Sequence, residues 1–229
     1  MVIFDCDGVL IDSEVIASRI IHTFLHNWLH QISSPDHELL RNGALSQWLD
    51  SCHGQPLSLT LHQLEQTCNT TIPENLLQKL ERIIEDELAE KVLPIPGMSE
   101  LLQKLETPWA VASNSSPSRL NRTLGQAGLL PLCESRLFSA ELIGRPKPAP
   151  DLHLHIVSQH QADPGDCLVV EDTPVGAKAG IAAGMTVFGF AAGSHMTPLQ
   201  IQKLRDTGVS RILSDAHELR KALATATAK

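Results

Sequence analysis

Two carboxylates one residue apart end the first apolar stretch of the chain, where residues 2–4 run directly into Asp5-Cys6-Asp7-Gly8. Because side chains alternate along an extended backbone, Asp5 and Asp7 are predicted to share one face and Cys6 to point the other way. Two like charges this close need a cation or a shared proton to coexist. The pattern predicts a buried strand followed by a reactive turn, although a strand that ends in an ordinary polar turn has the same composition.

Further polar residues are predicted to lie where apolar strands end. They are Ser113 and Asn114 after residues 109–112, Glu171 and Asp172 after residues 167–170, and Lys147 in the proline-flanked loop 144–148. In open parallel sheets, ligands bind at the carboxyl ends of the strands, so these side chains are expected to meet Asp5 and Asp7 in one crevice. Hard oxygen ligands, hydrogen-bond donors and a fixed cation are what a phosphoryl group with Mg²⁺ requires.

Taken singly, each of these residues has a simpler interpretation. Ser113 and Asn114 are common turn residues, and a lysine such as Lys147 is usually solvated. The pair Glu171-Asp172 is typical of the polar start of a helix. Only their joint placement at strand ends favours a functional site.

The elements that must position these residues follow from hydrophobic periodicity. Residues 14–91 are predicted to be helical throughout, with helices at 14–32, from Ser34-Pro35-Asp36 to about Leu49, at 57–68, and behind Pro73. The Pro- and Gly-rich stretch 93–97 ends this block, because it cannot continue a helix.

Beyond residue 97 helices and strands alternate. Strands are predicted at 109–112, near 137–138, at 167–170 and at 185–190, with helices at 99–106, 118–127, 151–161 and 175–183 and two short helices after them. This order predicts an α/β fold with a doubly wound parallel sheet, a Rossmann-like core. The predicted domains are a core of residues 1–12 and 93–229 and an inserted helical cap of residues 13–92.

Composition limits the function classes. The 229 residues are 42% hydrophobic, which suffices for a substantial core, and no apolar run approaches the length that spans a bilayer. A formal net charge of −8 disfavours nucleic acid and anionic membranes as partners. The five scattered cysteines lack a C-x-x-C pair, and no secretion signal opens the chain, so a cytoplasmic protein is expected.

The motifs resemble those of the haloacid dehalogenase-like (HAD) hydrolases, in the branch of capped phosphatases and β-phosphoglucomutase-like enzymes. Asp5-Cys6-Asp7-Gly8-Val9 is similar to the first motif of that family, Ser113 to the second, Lys147 in Arg145-Pro146-Lys147-Pro148 to the third, and Glu171-Asp172 to the fourth. The resemblance covers essentially the whole chain, whereas the cap matches in position and helicity only.

The resemblance implies a Mg²⁺-dependent phosphatase that acts on a small phosphorylated metabolite, a sugar or sugar-acid phosphate, as a monomer or weak homodimer. Asp5 would be the nucleophile and Asp7 the general acid and base. Asp5, the main-chain carbonyl of Asp7, Asp172 and, directly or through water, Glu171 would hold the metal. Ser113 and Asn114 would bind the transferring oxygens, and Lys147 would neutralise their charge and restrain Asp5.

Other functions stay open at this point. A β-phosphoglucomutase-like phosphomutase shares the same core, but the position of the histidine on its first cap helix corresponds to Ala17 here, which favours hydrolysis. Dehalogenases lack the second aspartate, and phospho-accepting receiver domains lack a helical insertion. A non-catalytic protein that binds a phosphorylated ligand would keep the same residues.

Three further features receive a structural interpretation. His22, His26 and His30 have the spacing of a helical zinc site but flank an apolar stripe, where packing is the expected role. The glycines at 176, 180 and 184 are expected to let a helix pack closely on the sheet. Cys6 is expected to be a buried, inert thiol. Arg41, in a turn of the cap, is either an ordinary solvated charge or a residue that receives a second anionic group of the substrate.

Overall fold

The computed structural model of the chain describes residues 1–32, 38–52 and 55–226. These residues form two compact units. Residues 1–15 and 89–229 make up the sheet unit, and residues 16–88 make up the helical unit. The expected domain boundaries near residues 12 and 93 stay a prediction. In the described part of the chain, no helix is both long and apolar enough to cross a membrane.

The sheet unit contains a six-stranded parallel sheet in the order β3-β2-β1-β4-β5-β6. Its strands are β1 (Val2–Phe4), β2 (Trp109–Ser113), β3 (Leu137–Ser139), β4 (Leu168–Glu171), β5 (Thr186–Phe190) and β6 (Arg211–Leu213). The first strand is central: Phe4 is aligned with Val111 of β2 on one side and with Val170 of β4 on the other. The strand order reverses direction between β1 and β4, which is where open α/β sheets bind their ligands.

Helices connect the strands of this sheet. They are α5 (Met98–Lys104), α6 (Pro117–Gln126), α7 (Leu130–Cys133), α8 (Ala140–Ile143), α9 (Asp151–Gln159), α10 (Pro174–Ala182), α11 (Pro198–Arg205) and α12 (Ala216–Ala226). One buried cluster joins Ile3 of β1 to Ile156 of α9, Ala177 of α10 and Leu204 of α11. Helices α5 and α12 contact each other. The expected fold class, an α/β protein with a doubly wound parallel sheet, is confirmed.

The helical unit has a core of its own. Its helices are α1 (Glu14–Ile32), α2 (Ala44–Cys52), α3 (Leu57–Cys68) and α4 (Asn75–Lys91), and a short 3-10 helix covers Glu38–Leu40. Leu25, Leu29, Leu45, Leu61 and Leu64 form one buried cluster. These leucines lie at helical spacing within their segments, as expected of amphipathic helices that bury one face.

The prediction of one continuous second helix up to about Leu49 is wrong. Its expected opening at Ser34-Pro35-Asp36 lies outside the described residues. After the 3-10 helix, the chain turns at Asn42 and Gly43, which both have positive φ angles of 50° and 76°. A helix cannot continue through two such residues, so α2 begins only at Ala44.

The other long elements are confirmed to within a few residues, whereas three short ones escaped prediction. Strand β6 has three residues, and α7 and α8 have four each. Periodicity needs more residues than this to be visible. The expectation that Gly176, Gly180 and Gly184 let a helix pack closely on the sheet holds only in part. A Cβ on Gly180 would press on Val187 and Val169 of the sheet, but Gly184 lies in a turn with φ of 80° and has no close neighbour there.

One core side chain makes stability depend on pH. His153 of α9 is fully buried, and among the described residues neither ring nitrogen has a hydrogen-bond partner. Burial, followed by the charge of Lys147, lowers the pKa of His153 to about 3. An unfolded histidine binds a proton below pH ~6.5, so the unfolded chain takes up a proton that the folded chain refuses. Stability present above that pH is therefore lost progressively as the pH falls toward 3.

Replacement of His153 by phenylalanine should remove this pH dependence. Between pH 7.5 and 5.0 the wild-type chain is expected to lose about 2 kcal/mol through this residue, and H153F should not. Urea unfolding at both pH values measures the difference, with H155F as the control for replacing a histidine on the same helix. Equal losses of unfolding free energy in the wild type and H153F would contradict the prediction.

Candidate active site

The site is built at the carboxyl end of β1. Asp5 follows this strand directly, and its main-chain N–H donates to the carbonyl of Val170 in β4 at 2.9 Å. Because the parallel register aligns Phe4 with Val170, the next residues of the two strands, Asp5 and Glu171, end side by side. Asp172 follows as the first residue after β4. All three carboxylates are buried.

Lys147 lies between these carboxylates. Its Nζ donates to Asp5 Oδ1 at 2.5 Å, to Glu171 Oε1 at 2.5 Å and to the carbonyl oxygen of Ala112 at 2.8 Å. Burial by itself would lower the pKa of the ammonium, but Asp5 and Glu171 raise it above its ordinary value. A buried lysine with three acceptors remains charged and holds its partners in place.

The three acidic residues could bind a cation. One oxygen from each of Asp5, Glu171 and Asp172 lies within 4.8 Å of the others. Burial, and then Glu171, raise the pKa of Asp5 to about 8 against the opposing effect of Lys147. Burial, and then Asp5, raise the pKa of Asp172 well above its ordinary value. A single lysine among three buried carboxylates leaves negative charge that a divalent cation can neutralise.

Asp172 provides a second sign that the donors fit a hard cation. Within the described residues, neither of its carboxylate oxygens has a directed hydrogen bond, although both are buried. Its Oδ2 lies 3.1 Å from Nε2 of His195, a distance within the range of an ion pair. Buried carboxylate oxygens without donors are suited to coordinate a metal such as Mg²⁺.

Asp7 lies in a separate network of donors. Ser13 Oγ donates to its Oδ1 at 2.6 Å, and Ser115 Oγ donates to its Oδ2 at 2.9 Å. Nη2 of Arg119 is 3.2 Å from Oδ1. Burial would raise the pKa of Asp7, but Arg119 and the two hydroxyls lower it below its ordinary value. Asp7 is therefore held as a carboxylate in this arrangement.

Asn114 contacts the main chain of Lys147 with both ends of its amide. Its Oδ1 accepts from the main-chain N–H of Lys147 at 2.9 Å, and its Nδ2 donates to the Lys147 carbonyl at 3.2 Å. Both ends of the amide are thus used to hold the backbone that carries Lys147. The neighbouring Ser113 is 1% exposed, and its Oγ accepts from the N–H of Ser115 at 3.0 Å. The hydroxyl of Ser113 remains a donor.

Comparison with known proteins identifies the family. The model of the haloacid dehalogenase-like hydrolases matches residues 1–184. The chain belongs to the haloacid dehalogenase-like hydrolase family. It is 30% identical over 202 residues to the 6-phosphogluconate phosphatase of Escherichia coli (strain K12). The aligned region covers 86% of this chain and 85% of that protein.

Two solved structures extend the similarity to the whole length. A conserved haloacid dehalogenase-like protein of unknown function from Agrobacterium tumefaciens has a TM-score of 0.82 at 33% identity, covering 100% of this chain and 98% of that one. A HAD family hydrolase from Deinococcus radiodurans, solved with bound phosphate and sodium, has a TM-score of 0.78 at 32% identity and covers 98% and 95%. The expectation that the chain is a phosphoric monoester hydrolase of this family is confirmed.

The structure of this HAD-like hydrolase brings Asp5, Lys147, Glu171 and Asp172 together, as their placement at strand ends predicted. Asn114 contacts the main chain of Lys147, and its expected contact with phosphoryl oxygens stays a prediction. Cys6 is buried, and its burial raises the pKa of the thiol well above the ordinary value, as expected of inert packing. In the described ranges the acidic cluster is the only group of three possible metal ligands, and the packing role of the three helical histidines stays a prediction.

Sequence reasoning missed four polar residues of the site: Ser13, Ser115, Arg119 and His195. Ser115 belongs to the loop that follows β2, one residue beyond the two that were predicted for the site. His195 lies in the loop after β5, and inspection of this strand end by the same rule would have found it. Arg119 had a weaker signal, because it lies in the first turn of α6, where Ser116 caps the helix and accepts from the N–H of Arg119.

Proposed function

We propose that the chain is a Mg²⁺-dependent phosphatase of a small phosphorylated metabolite, a sugar or sugar-acid phosphate, and that it acts through an aspartyl-phosphate intermediate. The observation that carries this proposal is the contact of Asp5 with Lys147 beside the acidic pair Glu171-Asp172. A carboxylate restrained by a buried cation beside a possible metal site is suited to approach an anionic phosphoryl group. The similarity to a 6-phosphogluconate phosphatase supports the substrate class.

In the proposed reaction, an oxygen of Asp5 forms a bond to phosphorus while the bond to the leaving alcohol breaks. Lys147 and the hydroxyl of Ser113 stabilise charge on the non-bridging oxygens. The residues that would hold Mg²⁺ are Asp5, Asp172, Glu171 and the main-chain carbonyl of Asp7, and the bound ion would supply neutralisation of negative charge. Water then cleaves the acyl phosphate, which restores Asp5 and releases inorganic phosphate.

Asp7 is proposed to protonate the leaving oxygen and then to take a proton from the attacking water. Ser13, Ser115 and Arg119 hold its carboxylate in the ionised form. That form is ready for the base step, whereas the acid step requires that Asp7 first takes a proton. The donors also fix the orientation of the carboxylate, which is the contribution that positioning makes to proton transfer.

The helical unit is proposed to act as the cap, residues 13–92, and to select the substrate. Arg41 lines a cavity of about 570 Å³ with Glu38, Asn42, Ala44 and Gln47. A guanidinium in a concave site is suited to a carboxylate. We therefore place the sugar-acid phosphates first among the candidate substrates.

A panel of phosphorylated metabolites tests this function. We expect Mg²⁺-dependent, vanadate-sensitive release of phosphate from p-nitrophenyl phosphate and higher kcat/KM for a sugar phosphate or sugar-acid phosphate. For a sugar-acid phosphate, R41Q should raise KM without changing the turnover of p-nitrophenyl phosphate. Interconversion of sugar phosphates without release would instead show a phosphomutase, and a flat profile would indicate a non-catalytic binding protein.

A further inference from the structure

The loop that follows β5 contacts the site but has no part in the reaction described above. A tight turn from Gly193 to Met196 closes with a main-chain hydrogen bond of 3.0 Å. At its tip, the N–H of Ser194 donates to Asp12 Oδ1 at 3.0 Å and the hydroxyl donates to Asp12 Oδ2 at 2.5 Å. Asp12 lies a few residues after Asp7. We call this paired contact the Asp12–Ser194 clasp, and it ties the loop to the segment that follows β1.

The clasp places the next residue, His195, against the acidic cluster. The side chain of His195 is 3% exposed, and Nε2 lies 3.1 Å from Asp172 Oδ2. Two glycines leave the space for its ring. A Cβ on Gly193 would lie 2.6 Å from Cε1 of His195, and a Cβ on Gly8 would lie 3.0 Å from the same atom while overlapping the Asp172 carboxylate. The imidazole is thus fitted into a slot that ends at Asp172.

Asp172 is the member of the cluster that most needs such a neighbour. Glu171 accepts from Lys147 and from the hydroxyl of Thr173, and Asp5 accepts from Lys147. Asp172 has no directed hydrogen bond in the described parts of the chain. A metal-binding carboxylate is usually oriented by a further polar group, and loss of that group typically weakens metal binding about 10- to 100-fold.

We propose that His195 is a positioning residue for the metal-binding carboxylate of Asp172, because its Nε2 lies 3.1 Å from Oδ2 and restrains that oxygen. The other oxygen of Asp172 is then directed toward the cation. The inference rests on the proposed function, because it requires that Asp172 is a metal ligand. His195 itself contacts neither substrate nor metal in this role, since hard cations such as Mg²⁺ prefer oxygen ligands.

Binding of metal to the substrate-free protein tests the role without an activity assay. Calorimetry with Mg²⁺, and electron paramagnetic resonance of free Mn²⁺, give the Kd for the wild type, H195F, H195Q and S194A. We expect H195F to raise both Kd values about 10- to 100-fold. H195Q should restore most of the affinity, because a glutamine amide can donate from a position close to Nε2. S194A, which removes half of the clasp, should fall between the wild type and H195F.

Matched controls separate positioning from packing. H155F, which replaces a histidine of α9, should keep the wild-type Kd, whereas D172N should abolish binding. The metal-induced rise in Tm should shrink in H195F in proportion to the loss of affinity. An unchanged Kd in H195F, or an H195Q variant that binds as poorly as H195F, would overturn the inference alone. If the wild type binds neither ion, both this inference and the proposed function fail.

Discussion

Replacement of Asp5 by asparagine is expected to reduce kcat about 10⁴-fold or more, because an amide cannot form the acyl phosphate. The variant should nevertheless remain folded. Asparagine has nearly the same shape, and its Oδ1 can still accept from Lys147, whose second partner Glu171 is unchanged. Single-turnover release of phosphate from p-nitrophenyl phosphate measures the loss.

The stability of D5N provides an independent check on the site. Burial disfavours the charged form of Asp5 and raises its pKa to about 8. The neutral asparagine removes one of three buried carboxylates that share a single lysine, so the metal-free Tm of D5N should equal or exceed that of the wild type. The rise in Tm on addition of Mg²⁺ should become smaller, because one metal ligand is lost.

D206N serves as the matched control for D5N. Asp206 is an exposed carboxylate of the same unit, and it should tolerate the change with wild-type kcat and an unchanged response to Mg²⁺. Phosphate release by D5N at the wild-type rate would exclude Asp5 as the nucleophile. Loss of activity together with loss of folding would show only that the residue is structural, so circular dichroism accompanies each assay.

The grouping of Asp5, Glu171, Asp172 and Lys147 could be predicted because it depends on topology. Short apolar runs identify β1 and β4, and parallel strands bring the residues that follow them to one edge. The sequence signal for Lys147 is weaker, because it consists only of a lysine between two prolines. Its direct contacts with Asp5 and Glu171 depend on the structure of the whole loop.

Orientations and long-range contacts could not be predicted in the same way. An asparagine after a strand can face a ligand or the backbone, and Asn114 is held by Lys147, 33 residues away. Ser139 donates to the carbonyl of Ser115 at 2.8 Å, and this contact helps to set the loop in which Ser115 reaches Asp7. His195 depends on a clasp between residues 182 positions apart. Local periodicity holds no information about such contacts.

Replacement of Gly176 by alanine is expected to destabilise the protein strongly, for a reason that lies in packing alone. Gly176 lies in the first turn of α10, where its N–H donates to the capping hydroxyl of Thr173 at 3.1 Å. A Cβ at this position would overlap the carboxylate of Glu171. Replacement by alanine must therefore move a buried side chain that is held by Lys147 and Thr173. We expect G176A to lower the free energy of unfolding by about 3 kcal/mol, from overpacking and weakened charge-assisted hydrogen bonds.

G125A is the matched control for this effect. Gly125 lies in α6, and a Cβ there would come no closer than 3.9 Å to a neighbour, an ordinary contact. In a helix without steric conflict, alanine is favoured over glycine by about 0.5–1 kcal/mol, so G125A should be neutral or stabilising. Urea unfolding of the two variants compares the same chemical change in two environments.

A double-mutant cycle tests whether Glu171 causes the loss of stability in G176A. In an E171A background the obstructing carboxylate is absent, and addition of G176A should cost less than about 1 kcal/mol, so the two changes couple strongly. An undiminished cost in that background would place the conflict elsewhere in α10. Mg²⁺ affinity should fall in G176A and in E171A to a similar extent, because either change removes Glu171 from its position beside Asp5 and Asp172. The absence of a side chain at Gly176 is therefore what allows Glu171 to approach the other two carboxylates.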